Sequence, residues 1–230
     1  MPHSIAIDGP AGSGKTTVGH ALAKCLGYVL FDSGVVYRAA TLAALRAGVP
    51  IDDEQAVARV AEAMSLDVWP PTADDGRLYT VLLEGADVTW AIRGSDVDAN
   101  VSPVSAYAGV RRALLEQQRR VALRGKVVVV GRDIGTVILP EADLKVYLDA
   151  SAEERASRRH RELLARGVET SYEEVLCNVR ERDRVDSGRA VAPLQAAHDA
   201  HRIDTTGISI DEVMKRIQAL ICCDGKNEAT

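Results

Sequence analysis

The chain lacks any run approaching the ~20 consecutive apolar residues that a bilayer-crossing helix needs. No membrane span is expected, and no signal peptide, because Met1-Pro2-His3 leads directly into a strand-like segment. An excess of positive charge is also missing: 28 basic residues stand against 33 acidic ones, a formal balance of -5. That balance disfavours a protein whose main task is to coat nucleic acid, and it requires any phosphate to be met by local basic clusters. The four cysteines, Cys25, Cys177, Cys222 and Cys223, have no metal-ligand spacing, so they read as reduced thiols of a cytosolic protein. The five histidines, His3, His20, His160, His198 and His201, form neither a triad nor a metal set. Repeats and low-complexity tracts are absent.

What is present is a chain of 230 residues, 47% hydrophobic, long enough for one catalytic domain with an inserted lobe. Directly after the apolar Ile5-Ala6-Ile7 comes Gly9-Pro10-Ala11-Gly12-Ser13-Gly14-Lys15-Thr16, followed by Thr17 and a helical pattern. Glycines let backbone amides turn inward around a polyphosphate, Lys15 can bridge the outer phosphates, and the Thr16 hydroxyl can hold magnesium. A helix starting near Lys15 aims its positive dipole end at the same anion. The expected donor is a nucleoside triphosphate, bound by Gly9 through Thr17.

The rest of the pattern alternates strand and helix. Strands are predicted over 4–8, 28–31, 127–130, 144–148 and 202–204, and helices over 15–26, 33–47, 49–65, 104–123, 152–166, 171–184 and 209–221. Val127 to Val130 is a run of four valines, the mark of a central parallel strand buried on both faces. Short β-type segments at 66–69, 78–83 and 87–89 read as hairpins of a small inserted lobe. The fold class is α/β, a three-layer sandwich around a mostly parallel sheet, with ligands outside the carboxyl ends of the strands. There the phosphate loop, Asp32-Ser33-Gly34, Gly131-Arg132-Asp133 and Asp204-Thr205-Thr206 would line one edge.

A phosphate loop alone does not separate a kinase from a GTPase or a motor. Phosphoryl transfer calls for several guanidinium groups around the migrating charge, and Arg38, Arg132, Arg182 and Arg189 are the candidates. Arg182 and Asp186 share a helix face, and Ser187-Gly188 releases the chain before Arg189, which suggests a mobile basic flap; a solvated face of ion pairs is the bland alternative. No Asn-Lys-x-Asp base-reading string occurs, which disfavours a GTPase-type switch. A P-loop kinase for another small phosphate acceptor stays open.

Several strings together carry a family resemblance: Ile7 through Lys15; Asp32-Ser33-Gly34 with Tyr37-Arg38; Gly131-Arg132-Asp133-Ile134-Gly135-Thr136; and Arg182-Asp183 through Arg189-Ala190-Val191-Ala192-Pro193-Leu194. They resemble bacterial cytidylate kinase, a nucleoside monophosphate kinase with the P-loop fold, over nearly the whole chain to about residue 221. The resemblance implies ATP and Mg2+, with CMP or dCMP as acceptor and a monomer without nucleic acid partners. It implies a core of 1–48 and 125–222, a mobile lid at about 180–193 and an NMP-binding region at 49–124 with the bacterial insert; residues 223–230, beyond the resemblance, read from the sequence as a disordered tail.

By the same resemblance Ser33, Ser102, Arg111 and Asp133 read the cytosine, Arg38, Arg132 and Arg189 hold the acceptor phosphate, and Asp186 lies near the ribose. Lys15, Arg132, Arg182 and Arg189 form the catalytic set, and Thr16 meets the metal. Tyr37 could stack near the substrate or simply pack its helix. Val130 departs from the pattern, which commonly has an acid there, leaving Asp8 or Asp32 as substitutes in support of the metal.

Overall fold

The structure, a computed structural model, describes residues 1–165, 167–189 and 191–224. Its elements run β1 (Ser4–Asp8), α1 (Lys15–Leu26), β2 (Val29–Asp32), α2 (Gly34–Arg46), α3 (Glu54–Ala63), β3 (Leu66–Trp69), β4 (Thr80–Leu83), β5 (Ala86–Asp87), α4 (Ser95–Ala106) and α5 (Ala108–Ala122). There follow β6 (Val127–Gly131), β7 (Leu144–Asp149), α6 (Ala152–Ala165), α7 (Tyr172–Ser187), β8 (His201–Asp204) and α8 (Ile210–Asp224). Five strands form a parallel sheet in the order β2-β6-β1-β7-β8. The valine strand β6 sits between β2 and β1, with Val127 through Val130 buried, as a run without alternation requires.

The inserted lobe is a three-stranded antiparallel sheet, β3-β4-β5. Arg77 clasps it by pairing with Asp75 at 2.7 Å and Asp87 at 2.5 Å, while Trp90 Nε1 donates to Asp75 Oδ2 at 2.8 Å. Its inner residues Leu66, Val81, Leu83 and Ile92 belong to the same apolar core as Ile5, Ile7 and Val129, so the insert is anchored rather than pendant. The hairpin of α6 and α7 differs. Its own cluster, around Ala156, Val175 and Val179, is small and separate from the main core. A segment with so few shared apolar contacts is the one most easily displaced.

Three expectations need correction. The helix predicted over 104–123 is two helices, because Tyr107 is extended (φ -64, ψ 122) and interrupts it. Pro103 supplies no amide to the preceding turn, the Tyr107 hydroxyl is tied to the Ile51 carbonyl at 2.9 Å, and Gly109 lets α5 come close to Ala58 of α3. Tertiary contact thus overrides the local helical pattern. α8 runs to Asp224, two residues into the segment read as a tail, and the rest of that segment, 225–230, lies outside the described residues. The first insert strand falls where read, but β4 starts later, at Thr80, and β5 is Ala86–Asp87 rather than 87–89, set directly after a tight turn at Glu84-Gly85 whose two residues are both at positive φ.

Candidate active site

The phosphate loop connects β1 to α1, and its shape depends on glycine at the first position. Gly9 has φ 149, and a Cβ there would overlap the Leu148 carbonyl of β7. The loop closes around Lys15, whose Nζ donates to Pro10 O at 2.5 Å. Burial, with Arg132 nearby, lowers the Lys15 pKa to about 7, against the opposing pull of Asp32 and Asp8. Gly12, Lys15, Thr16 and Thr17 line a cavity of about 710 Å3, with Arg38 and Arg182 on its walls. Gly9, Pro10 and Ser13 are buried behind that surface.

At the mouth of this cavity the Thr16 hydroxyl donates to Asp32 Oδ2 at 3.1 Å, while Asp32 Oδ1 accepts from the Gly34 amide at 2.9 Å. A hydroxyl and a carboxylate side by side are hard oxygen donors that fit magnesium carried in by a triphosphate. No cluster of three or more His, Cys, Asp or Glu residues suited to a resident metal occurs among the described residues. Val130 packs on Gly19 of α1 and is 1% exposed. Asp8 is committed elsewhere: its two oxygens accept from the amides of Ile134 and Gly135, both at 2.8 Å. Of the two substitutes considered for the missing acid, Asp32 is the one in contact with Thr16.

On the other side of β6 the polar residues converge. Gly131 packs so closely on the Ser33 hydroxyl and on Ile134 that a Cβ would overlap both. Next to it, Arg111 Nη2 donates to Asp133 Oδ2 at 2.5 Å, with both side chains buried. The Arg111 guanidinium also lies 5.2 Å from the centre of the Tyr37 ring, and Nη1 donates to the Ser105 carbonyl at 2.9 Å. Burial opposes the Arg111 charge, but Tyr37 and Asp133 outweigh it, so its pKa rises. Burial likewise raises the Tyr37 pKa, keeping the phenol neutral. Tyr37 therefore both packs α2 and stacks on Arg111.

A third cluster links β6 to the end of α7. Asp186, 1% exposed, lies between Arg132 Nε and Arg189 Nη2, 2.5 Å from each. Arg132 Nε is met by Asp186, whereas Arg189 Nε has no hydrogen-bond acceptor among the described residues. A buried guanidinium donor left without a partner is the expected mark of an anion site. Arg38 pairs with Asp98 at 2.6 Å and with the Ile92 carbonyl at 3.0 Å. Arg182 is pulled down to about 10 by burial and by Arg132 beside it, as in a cluster of cations with a deficit of negative charge.

Of the sequence candidates, Ser102 alone is not brought into this grouping. It is exposed, and its carbonyl accepts from the Ser105 hydroxyl at 2.9 Å. Ser105, one turn further along α4, has its own hydroxyl 3.4 Å from Arg189 Nη2. Sequence reasoning also missed Arg155, 4% exposed, which donates through Nη1 to the Ala11 carbonyl at 3.1 Å and to Asp183 Oδ1 at 2.9 Å, and through Nη2 to Asp183 Oδ2 at 2.6 Å. Nothing in Ala152 to Arg159 separates this arginine from the solvated ones around it, so the pattern carried no signal for it. Thr205 was visible only as part of a polar loop; its hydroxyl donates to Ser13 O at 3.2 Å and ties that loop to the phosphate loop.

A phosphate loop, a guanidinium cluster near it and a polar pocket at the end of β6 define a P-loop kinase with a second, small-molecule acceptor site. The chain belongs to the cytidylate kinase family, whose model matches residues 5–222. It is 51% identical over 220 residues to the cytidylate kinase of Herpetosiphon aurantiacus, covering 96% of this chain and 94% of that one. It is 48% identical over 217 residues to that of Carboxydothermus hydrogenoformans, covering 94% and 96%. In three dimensions it is similar to shikimate kinase from Acinetobacter baumannii in complex with shikimate, with TM-score 0.50, 18% identity and coverage of 100% and 97%. That likeness shows the fold. Together these findings make the chain an ATP-dependent nucleoside monophosphate kinase.

Proposed function

We propose that the chain transfers the γ-phosphoryl group of ATP to CMP or dCMP, giving ADP and CDP or dCDP. The observation that carries the base assignment is the buried contact between Arg111 and Asp133. Side by side they offer a donor and an acceptor, the complement of a cytosine edge with its ring acceptors and 4-amino donor. Ser33, held against Gly131, adds a hydroxyl to the same wall. Uracil would set its carbonyl against the Asp133 carboxylate, a repulsive contact that rejects it.

The acceptor phosphate falls to Arg38, Arg132 and Arg189. Each is held in the structure by a carboxylate, Asp98 for the first and Asp186 for the other two. The phosphate replaces or joins those carboxylates, so the guanidiniums need little reorganisation when it arrives. Asp186 remains in position for the ribose hydroxyls. Arg182, on the wall of the donor cavity, and Lys15 neutralise charge on the group in flight.

An acceptor phosphate is already anionic, so no strong general base is required. The acceptor oxygen forms its bond to the γ-phosphorus as the bond to the β,γ-bridging oxygen breaks, and ADP departs with that electron pair. Magnesium, when bound with ATP, supplies further neutralisation of phosphate charge. Thr16 and Asp32 are the residues that would hold it. The α6–α7 hairpin with the 180–193 lid closes over the donor cavity and excludes water, which limits loss of ATP to hydrolysis.

The further reading is a monomeric cytoplasmic enzyme with small-molecule partners. The exposed thiols of Cys25, Cys177 and Cys222 and the acidic net charge support it. A coupled ADP-release assay with CMP, dCMP, UMP and AMP tests the function. CMP and dCMP are expected to turn over fastest, and faster turnover of AMP than of CMP would remove the base assignment.

A further inference from the structure

Asp8 is a buried carboxylate that the steps above do not use. It closes β1 immediately before Gly9 and is 4% exposed. Its two oxygens reach across to a different segment, Oδ1 to the Ile134 amide and Oδ2 to the Gly135 amide. Those are the two residues that follow Asp133. They open a wide turn over Ile134–Ile138, in which Ile138 N bonds Asp133 O at 3.2 Å and Leu139 N bonds Ile134 O at 2.7 Å. The first amides of such a turn have no acceptor within it, and Asp8 supplies one from another strand. The fit is close. A Cβ on Gly135 would come within 3.4 Å of Asp8 Oδ2 and 3.1 Å of the Lys145 Cδ.

We propose that Asp8 is a positioning residue for base selection: by gripping the Ile134 and Gly135 amides it sets the height at which Asp133 meets the cytosine amino group. The inference rests on the role given to Asp133 above.

The electrostatics agree with a functional rather than a stabilising carboxylate. Burial raises the Asp8 pKa to about 6; the two amides and Lys15 of α1 oppose that rise, and Asp133 adds to it. Lys145, whose ammonium pairs with Asp199 at 2.7 Å, and Tyr147 approach from β7. A raised folded pKa means that the native state binds the proton more tightly than the unfolded chain. Ionising Asp8 therefore costs stability as pH climbs from 3.8 to about 6. What the carboxylate provides in return is two acceptor oxygens, whereas asparagine has one acceptor and one donor.

The test compares the wild type with Asp8→Asn and Asp133→Asn, measuring kcat/KM for CMP and for UMP, KM for ATP, and Tm. Asp8→Asn is expected to lower the CMP-over-UMP ratio about tenfold, the scale of one lost buried hydrogen bond, with little change in KM for ATP. Combined with Asp133→Asn it should cause no further loss of the ratio. In the wild type, without any substitution, the ratio should fall as pH drops through the range where Asp8 takes up its proton, and Asp8→Asn should flatten that profile. Titration of Lys15 or of the acceptor phosphate acts on both substrates and cancels in the ratio. A lower Tm with an unchanged ratio and unchanged pH profile would make Asp8 merely structural and overturn the proposal. If Asp133→Asn itself leaves the ratio unchanged, the base reading beneath it fails, and the role of Asp8 with it.

Discussion

Arg111 Nη2 and Asp133 Oδ2 stand 2.5 Å apart, with the two side chains only 5% and 6% exposed. One comes from α5, and the other lies two residues beyond the end of β6, so the contact joins the two halves of the proposed acceptor pocket. Replacing Asp133 by Asn removes the charge while nearly preserving shape. The CMP-over-UMP preference should fall by roughly 10- to 100-fold, corresponding to about 1–3 kcal/mol of discrimination. Steady-state kinetics with both monophosphates check this, and an unchanged preference would move base reading elsewhere.

Asp186 holds Arg132 and Arg189 together from the end of α7. Arg132→Met should therefore cut kcat/KM for CMP by about 100-fold or more, with a much smaller change in KM for ATP. Arg132→Lys should recover only part of the activity, because an ammonium offers no planar fork to the phosphate. Full activity in the lysine variant would show that charge alone suffices.

Arg155 ties the phosphate loop to the lid helix through Ala11 O and Asp183. Arg155→Met strands both partners, so KM for ATP should rise about tenfold and stability should fall by about 1–3 kcal/mol. Titration with ATP and denaturant unfolding measure the two effects. A fall in stability with unaltered ATP affinity would confine Arg155 to packing.

Lys15, lowered to about 7 in the free enzyme, should regain its full charge against a triphosphate. The sign follows directly: the pKa rises on binding, so protons are taken up. At about pH 8 ATP binding should absorb close to one proton per site, and uptake should fade as pH drops below the free value. Calorimetry in buffers of different ionisation enthalpy counts these protons. Lys15→Met should abolish the uptake.

Much of this was legible in the sequence for physical reasons. The phosphate loop demands fixed residue types at fixed spacing, and four consecutive valines fit little except a doubly covered strand. Asp32-Ser33-Gly34 and Gly131-Arg132-Asp133 could be placed on one edge because both follow strands of a parallel sheet. What stayed hidden depends on tertiary contact. The break at Tyr107 comes from α5 packing on α3 through Gly109, the contacts of Ser105 with Arg111 and Arg189 depend on how α4 and α5 meet at that break, and Arg155 is marked only by what it touches.

The central claim is that Arg111 and Asp133 read a cytosine. A crystal structure with CMP bound tests it most directly. The account predicts that the 4-amino group lies within hydrogen-bond distance of the Asp133 carboxylate, with Arg111 on the ring acceptors and the phosphate among Arg38, Arg132 and Arg189. A base lying away from Asp133, or a phosphate outside those three arginines, would contradict it.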